Sequence, residues 1–567
     1  MEQSRLILAI ALSFAVLFIW SYFFVEPPPE KAPDQPTATA VDQAKTPESS
    51  PAKQSETQAV QPEEAPTPIQ EGETAPVETS GLATADEASR LIQVKTPLYE
   101  VTINEAQARF DSFKLRKYKE TVDADSPDKE LVHTPEGMGT LVVGTMDNSV
   151  KGLKSARFVA QTDSSDIDVN SGEAELRLVW SNPQGVTLER KYRFSADTYL
   201  IKSSVTLKNR GTETLKDNFF IALRGNEPNG TARRSYAFEG PSGYINGKLQ
   251  QVKIKKIEEN AATPGETQWV AIEDRYFMNS VLPDEIVDGE MALTDENGLI
   301  ENRLVWPEDE IAPQTQKEYR FDLYFGPKKI DILRHMGHNL DLAVNFGWFD
   351  MLARPCLWFL NFLFGFIPNY GVDIIIMTIL VKLILWPLGS KSYKSMNDMR
   401  KLQPLMAEIR EKYKDDKKQM NQELMGLYRT YKINPMGGCL PMVVQIPVFF
   451  AYYRMLYQAI ELRHAPFFLW INDLSAPDRL FHFSFAIPFM QPPYGIPVLT
   501  IIMGATMFLQ QKMSPAPGDP TQAKMMMFMP LVFTFIFINF SSGLVLYWLT
   551  NNILSISQQY YIQKRYA

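Results

Sequence analysis

The stretch Gly371–Leu388, which reads GVDIIIMTILVKLILWPL, decides the fold of this chain. A helix over 370–388 would come close to crossing the roughly 30 Å hydrocarbon core of a bilayer, at about 1.5 Å per residue. We therefore predict a membrane-spanning helix here. Its middle contains one cation, Lys382. An ionisable side chain inside a membrane is costly unless it meets water or a partner, so function is the first hypothesis for Lys382.

Lys382 also has a simpler interpretation. It lies six residues from the predicted cytoplasmic end of the span, about 9 Å by helix rise. Its long side chain could therefore extend to the interface beside Trp386 and do no more than carry its charge out of the lipid. No Asp or Glu lies deep in the other predicted spans, which favours a water-filled cavity around Lys382 over an ion pair. Thr378, one turn earlier, shares this side of the helix.

Four more strongly apolar segments follow, over 435–460, 494–512, 524–540 and 544–562, and a sixth occupies residues 6–25. A cleaved signal peptide is the alternative for residues 6–25, but the run exceeds the usual ~7–15 residues and ends in bulky aromatic side chains. We predict an α-helical polytopic membrane protein of six spans, with an N-terminal anchor, 1–25, and a five-helix core, 369–567. Amide side chains within the spans are predicted to join helices: Gln445, Gln510, Gln511, Asn551 and Asn552.

Loop charge predicts the topology. The segment 389–434 contains eleven Lys or Arg residues, whereas 462–493 contains only Arg463 and Arg479. Positively charged loops stay in the cytoplasm, which places 389–434 inside and 462–493 outside. Both termini are then cytoplasmic, and the segment after the N-terminal anchor is exported.

The basic segment 389–434 has a helical period of its own. Apolar residues recur every three or four positions on both sides of a break at Asp415-Asp416, which predicts an antiparallel helical hairpin with a methionine-rich seam. We expect this cytoplasmic hairpin to capture apolar segments of other proteins. The alternative is a solvated hairpin that only ties two spans together. The residues predicted to capture substrate are Met396, Met399, Met406, Met420 and Leu424.

The exported part divides into three regions. Residues 26–88 contain eleven Pro and carry thirteen acidic against three basic residues, a net charge of −10, and are predicted to form a disordered tether. Residues 89–328 show short alternating runs such as Val186–Phe194, which predict a large antiparallel β-sandwich. For residues 329–368 we predict an interfacial amphipathic helix region. The apolar stretch Leu357–Ile367 either continues that helix or enters the bilayer.

Composition excludes several classes of protein. The chain has 567 residues and a net charge of −9, of which −10 belongs to 26–88, so the rest sums to about +1 and nucleic acid is not an expected ligand. Two cysteines exclude a disulfide framework and a zinc site. No nucleotide-binding or catalytic motif is present, so we predict no enzyme activity, no cofactor and no metal.

The C-terminal third contains several long motifs: Asn434–Pro441 (NPMGGCLP), Glu461–Trp470 (ELRHAPFFLW), Met503–Phe508 (MGATMF) and Ser542–Trp548 (SGLVLYW). In these motifs, over 330–567, the chain resembles the YidC/Oxa/Alb family of membrane protein insertases, and its overall layout resembles the Gram-negative form. The resemblance implies a bacterial inner-membrane protein with a periplasmic β-domain. It implies as partners nascent inner-membrane proteins, the Sec translocon, the lipid bilayer and the ribosome or signal-recognition pathway.

The resemblance also implies a hydrated groove, open to cytoplasm and lipid but closed outside, with one essential positive charge. Matched position by position, that charge is Lys382, and the family's best-known members have Arg there and Tyr at the position of Trp548. The implied substrate-contacting positions are Thr378, Phe449, Met503, Tyr547 and Trp548.

Two alternatives come from other classes of protein. A secondary transporter or flippase for an anionic solute would use Lys382 as its binding charge, but the five C-terminal spans show no pair of similar halves. A carbohydrate-active enzyme would use the β-sandwich to bind sugars, but no pair of catalytic carboxylates is evident.

Overall fold

A computed structural model describes residues 67–68, 89–227, 237–431, 440–514 and 520–566. The predicted anchor, 1–25, lies outside the described residues. So does the predicted tether, 26–88, apart from Thr67–Pro68, which pair with a strand of the β-domain as β1.

The β-domain contains a fourteen-stranded sheet and a five-stranded sheet, joined by aromatic contacts such as Phe113 with Phe325, 5.0 Å between ring centroids. This confirms the predicted large β-sandwich. Strands pair antiparallel except β2 with β8, a three-residue parallel pair that the sequence pattern did not predict. The small sheet contains β2 Leu91–Lys95, β3 Tyr99–Asn104, β4 Arg109–Lys119, β5 Asp128–Glu130 and β8 Asp166–Asp168.

The remaining strands of the β-domain belong to the large sheet. They are β1 Thr67–Pro68, β6 Val142–Thr145, β7 Val159–Ala160, β9 Glu173–Ser181, β10 Val186–Ser195, β11 Leu200–Asn209, β12 Leu215–Asn226, β13 Gly240–Ile245, β14 Lys248–Gln251, β15 Ala262–Glu273, β16 Phe277–Pro283, β17 Val287–Glu296, β18 Leu299–Ile311 and β19 Thr315–Pro327.

Strand β10 shows why the alternating pattern predicted this domain. Leu188, Tyr192 and Phe194 point to one face and are fully buried. Arg190 shares that face and is equally buried, because its guanidinium donates hydrogen bonds to the backbone carbonyls of Gln107, Ala108 and Leu141. Such bonds satisfy a buried cation without a carboxylate.

Helices follow the β-domain from residue 330 onward. They are α1 Ile330–Met336, α2 Asp350–Phe364, α3 Tyr370–Ile384, α4 Trp386–Lys401, α5 Gln403–Lys412, α6 Lys417–Thr430, α7 Leu440–Gln458, α8 Val498–Met513, α9 Pro520–Phe537 and α10 Ser542–Tyr566. A short hairpin of β20 Leu480–Phe483 and β21 Tyr494–Ile496 separates α7 from α8.

The prediction of one continuous helix over 370–388 is wrong. Helix α3 ends at Ile384, and α4 begins at Trp386 at an angle of 65° to it. Pro387 lies in the first turn of α4, where its ring and missing N–H prevent the preceding helix from continuing. Together α3 and α4 are long and apolar enough to cross a membrane, whereas no single helix in the described part of the chain meets that test.

Two further sequence expectations need correction. The segment predicted as a span from 494 begins with strand β21, and its helix starts only at Val498. The region 329–368 is not one amphipathic helix, because Gly337 and Gly347 adopt positive φ angles of 76° and 67° that interrupt it. Helix α2 then includes most of the apolar stretch 357–367 and leaves Trp358 exposed.

The hairpin predicted within 389–434 is present in α5 and α6. Its turn lies at Asp416, whose carboxylate caps α6 by accepting hydrogen bonds from the backbone N–H groups of Lys418 and Gln419. Leu402, Met406 and Leu424 form its small buried core. Met420 packs against that core, whereas Met396 and Met399 lie outside it on α4.

Two arginines join the β-domain to the helices. Arg275 donates to the Tyr457 carbonyl at 2.6 Å and its guanidinium stacks 3.7 Å from the Tyr457 ring centroid. Arg463 donates to the carbonyls of Lys119 and Glu120. Both contacts lie at the C-terminal end of α7 or just after it.

Candidate functional site

Helices α3 and α10 pack side by side and run in the same direction. Gly543 lies against Ile374 near the start of both helices, and eight residues further along each helix Lys382 meets Asn551. The Lys382 Nζ donates to Ser555 Oγ at 2.7 Å and to Asn551 Oδ1 at 3.4 Å. The lysine is therefore directed sideways to α10 rather than along α3 toward Trp386.

A third helix completes this polar cluster. The Gln445 Nε2 of α7 donates to Asn551 Oδ1 at 3.1 Å, and the Ser555 hydroxyl donates to the Asn551 carbonyl at 2.7 Å. We call Lys382, Gln445, Asn551 and Ser555 the lysine cluster. Its hydrogen bonds join α3, α7 and α10.

The lysine cluster has an unbalanced charge. The partners of Lys382 in the described residues are a neutral hydroxyl and a neutral amide, and no carboxylate there forms an ion pair with it. Neutral acceptors orient an ammonium group without cancelling its charge. The cluster therefore presents a net positive charge between three helices, with a side chain that is only half-buried.

Aromatic residues lie nearer the N-terminal end of α10. Phe449 of α7 meets Trp548 edge-on at 4.6 Å between ring centroids and Tyr547 at 6.3 Å. Phe537 of α9 contacts the other side of Trp548 at 5.4 Å, and Tyr452 stacks on Tyr547 at 4.7 Å. We call these five residues the aromatic cluster, and it links α7, α9 and α10.

The structure thus brings together three of the predicted groove positions, Phe449, Tyr547 and Trp548, in one cluster. Thr378 is buried, and its hydroxyl donates to the Ile374 carbonyl of its own helix. Met503 is fully buried in α8. Neither residue hydrogen-bonds to the lysine cluster.

Ser555 is the residue that sequence reasoning missed. It follows Asn551 by four positions, and Gln558 and Gln559 follow it, so α10 carries a row of buried polar side chains. Gln558 continues the row by donating to the Trp386 carbonyl at 3.2 Å and to Ser390 Oγ at 3.3 Å. Polar residues three or four apart along α10, at positions 551, 555 and 558, are the signal that could have identified it.

Comparison with known proteins identifies the class of protein to which the chain belongs. A family model described as YidC periplasmic domain matches residues 91–359, and one described as 60Kd inner membrane protein matches residues 362–567. The chain is therefore an inner-membrane protein with a periplasmic domain.

Full-length relatives narrow the class to a family. The membrane protein insertase YidC of Syntrophus aciditrophicus is 40% identical over 570 residues, 99% of this chain and 100% of the relative. That of Citrifermentans bemidjiense is 39% identical and covers 100% of both chains. A crystal structure of an active YidC insertase with its first transmembrane domain resolved is 19% identical, covers 84% of this chain and 95% of its own, and has a TM-score of 0.36. The chain belongs to the YidC membrane protein insertase family, which confirms the resemblance and agrees with the prediction that it is not an enzyme.

Proposed function

We propose that this chain inserts hydrophobic segments of newly made proteins into the bacterial inner membrane through a hydrated groove between α3, α7 and α10. The observation that carries the proposal is the lysine cluster, a cation held by neutral partners between three helices. Both termini and the segment 389–434 face the cytoplasm in this proposal, and the β-domain faces the periplasm. In this proposal the anchor, 1–25, the bent pair α3 and α4, and the helices α7, α8, α9 and α10 supply the six spans.

Capture of substrate takes place at the cytoplasmic hairpin. Met406 of α5 and Leu424 of α6 belong to its small buried core, and Met420 of α6 packs against that core. Met425 of α6 is 52% exposed. Unbranched, polarizable methionine side chains adapt to apolar surfaces of many shapes. Met396 and Met399, half-buried on α4, extend this surface toward the membrane.

The polar tail of the substrate then enters the groove beside Lys382. The positive charge of Lys382, together with the polar side chains of Gln445 and Asn551, lowers the free-energy cost of removing polar or acidic groups of the tail from water. Because Ser555 and Asn551 are neutral, the ammonium charge stays available to an acidic tail. Thr378 and Met503 are buried, so in this proposal they contact the substrate only after the helices rearrange.

The apolar part of the substrate leaves sideways into lipid. Leu383 and Ile384 at the end of α3 are 57% and 77% exposed, and such apolar flanks offer a continuous route from groove to bilayer. Burial from water supplies about 25 cal/mol per Å². For an acidic tail the membrane potential adds roughly 2.3 kcal/mol per charge per 100 mV.

The aromatic cluster closes the outer end of the groove. Phe449, Tyr547 and Trp548 fill the space between α7 and α10, and Phe537 seals the side toward α9. Closely packed rings leave few spaces large enough for a water molecule. The substrate tail passes this closure only when α7 and α10 separate.

The partners of this reaction are nascent inner-membrane proteins and the bilayer. The Sec translocon would share the larger substrates, and the ribosome or the signal-recognition pathway would deliver the nascent chain to the basic cytoplasmic hairpin.

Reconstitution tests the proposal. The purified full chain is placed in liposomes, and insertion of a purified single-span substrate with a short acidic tail is measured by protection of the tail from protease. We expect insertion to require the chain and to survive replacement of Lys391, an exposed lysine of α4, by alanine. Equal protection in protein-free liposomes would contradict the proposal.

A further inference from the structure

The connection between α7 and α8 contains an exposed apolar hairpin. Strands β20 and β21 pair antiparallel. Three phenylalanines, one in β20 and two in the loop that follows it, remain exposed: Phe481 by 67%, Phe485 by 63% and Phe489 by 85%. We call residues 480–496 the outer hairpin. Three large exposed apolar side chains within one short connection indicate a surface that contacts something other than water.

The outer hairpin is held in place by polar contacts at its base. The Arg479 guanidinium donates to the carbonyls of Pro493 at 2.9 Å and Ile538 at 2.8 Å. The Asn539 amide donates to the Phe489 carbonyl at 2.8 Å. Phe481 and Phe489 have φ angles of 56° and 65°, a region that bulky residues rarely adopt. The backbone is thus fixed with these rings directed outward instead of folded onto the protein.

Charge identifies the kind of surface that the outer hairpin contacts. From Leu480 to Gln511 the sequence contains no Asp, Glu, Lys or Arg. Protein interfaces usually surround an apolar centre with a polar, hydrogen-bonding rim. A long segment without any formal charge fits hydrocarbon better, where each charge would be costly.

Position supports the same conclusion. Asn539, whose amide donates to the Phe489 carbonyl, lies two residues after the end of α9. The last two turns of α9 expose an apolar strip of Leu531, Val532, Phe535 and Ile536. The outer hairpin therefore continues the apolar surface of a predicted membrane helix. It lies in the segment 462–493 and its continuation, which the loop charges place outside.

We propose that the outer hairpin inserts Phe481, Phe485 and Phe489 among the lipids of the outer leaflet and so anchors the outer ends of α8 and α9. The inference rests on the proposed function for the placement of α9 in the bilayer. In this inference the connection between α7 and α8 contacts lipid in addition to the membrane-spanning helices.

Depth-dependent fluorescence quenching tests the inference. Cys356 and Cys439 are replaced by serine in the full chain, Phe489→Cys is introduced and labelled with an environment-sensitive fluorophore, and the protein is placed in liposomes. Phe485→Cys is the second site. Phe535→Cys of α9 is the lipid-facing control, and Lys248→Cys, exposed in the β-domain, is the water-facing control.

We expect labels at 489 and 485 to show blue-shifted emission and to be quenched by spin-labelled lipid, as at 535, while aqueous iodide quenches only the label at 248. Iodide quenching at 489 and 485 would overturn the inference. Protection there from both iodide and spin-labelled lipid would overturn it too, because a protein would then cover the hairpin. Failure of lipid to quench at 535 would instead contradict the placement of α9, and with it the proposed function.

Discussion

Replacing Ser555 by alanine removes the nearest hydrogen-bond acceptor of Lys382, and a double-mutant cycle isolates the value of that bond. The four proteins are the wild type, Ser555→Ala, Lys382→Met and the double variant. Methionine keeps much of the apolar stem of lysine and removes its charge. The coupling free energy is the part of the double effect that the two single effects do not explain.

The structure sets the expected size of this coupling. Hydrogen bonds to charged groups contribute about 1.5–3 kcal/mol in soluble proteins, whereas interhelical polar pairs in membranes average about 0.6 and reach about 1.7 kcal/mol. Because the Lys382–Ser555 distance is 2.7 Å and the donor is charged, we expect about 1.5 kcal/mol, near the upper end of the membrane range. The corresponding cycle with Asn551, at 3.4 Å, should give less.

The assay is equilibrium unfolding in mixed micelles as the fraction of denaturing detergent increases. The matched control cycle pairs Lys382→Met with Ser557→Ala. Ser557 is an exposed serine of the same helix whose hydroxyl also donates to a carbonyl four residues earlier. Its coupling to Lys382 should be near zero. If the coupling free energy between Lys382 and Ser555 is no larger than that between Lys382 and Ser557, the hydrogen bond of the lysine cluster contributes nothing measurable. That result would favour a lysine that only extends to the interface.

Three further predictions concern other parts of the chain. Deleting most of 89–320 while keeping the anchor joined to α1 should leave growth of a depletion strain largely intact, because the proposed groove lies wholly in the helical part; failure at normal expression would show that the β-domain is more than an accessory. Replacing 396–431 by a short linker should preserve protein level and protease topology yet abolish substrate crosslinking, whereas loss of the protein would support a purely structural hairpin. The pKa of Asp322 is raised from 3.8 to about 6, chiefly by burial and further by the nearby Asp284. Folding favours the protonated form of the Asp322 carboxyl. The stability that this form contributes is fully present below the ordinary pKa of 3.8 and is lost as the pH rises through about 6. Asp322→Asn should therefore raise the thermal midpoint of the full chain at pH 8 more than at pH 4, and an equal shift at both would contradict this assignment.

Local patterns predicted the local elements of this fold. The alternation in 186–194 corresponds to β10, and the break at Asp415-Asp416 corresponds to the turn before α6. Both depend on neighbours along the chain. The bend between α3 and α4 was missed although Pro387 is visible in the sequence, because a proline in the first turn of a helix is compatible with either a new helix or a kink.

The site was predicted less completely than the fold. Lys382 was found because a single cation in an apolar stretch is unusual, but its partner Ser555 lies 173 residues away. One sequence does not reveal how two helices are rotated against each other, so it cannot assign that contact. The resemblance to the insertase family groups Met503 with Phe449 as groove positions. In the structure Phe449 contacts Trp548, whereas Met503 is buried in α8. The rotation of the helices, which one sequence does not reveal, decides this difference as well.

The most direct test of the groove charge is translocation of an acidic tail by the Lys382→Ala variant at expression matched to wild type. We expect Lys382→Arg to keep activity, Lys382→Ala to impair translocation and Lys382→Glu to be worst, because attraction of the acidic tail becomes repulsion in a low-dielectric setting. If the lysine only extended to the interface, alanine would be harmless in an apolar helix. Translocation of the acidic tail by Lys382→Ala at the wild-type level would refute a functional charge in the groove, and a clear loss that arginine at this position restores would support it.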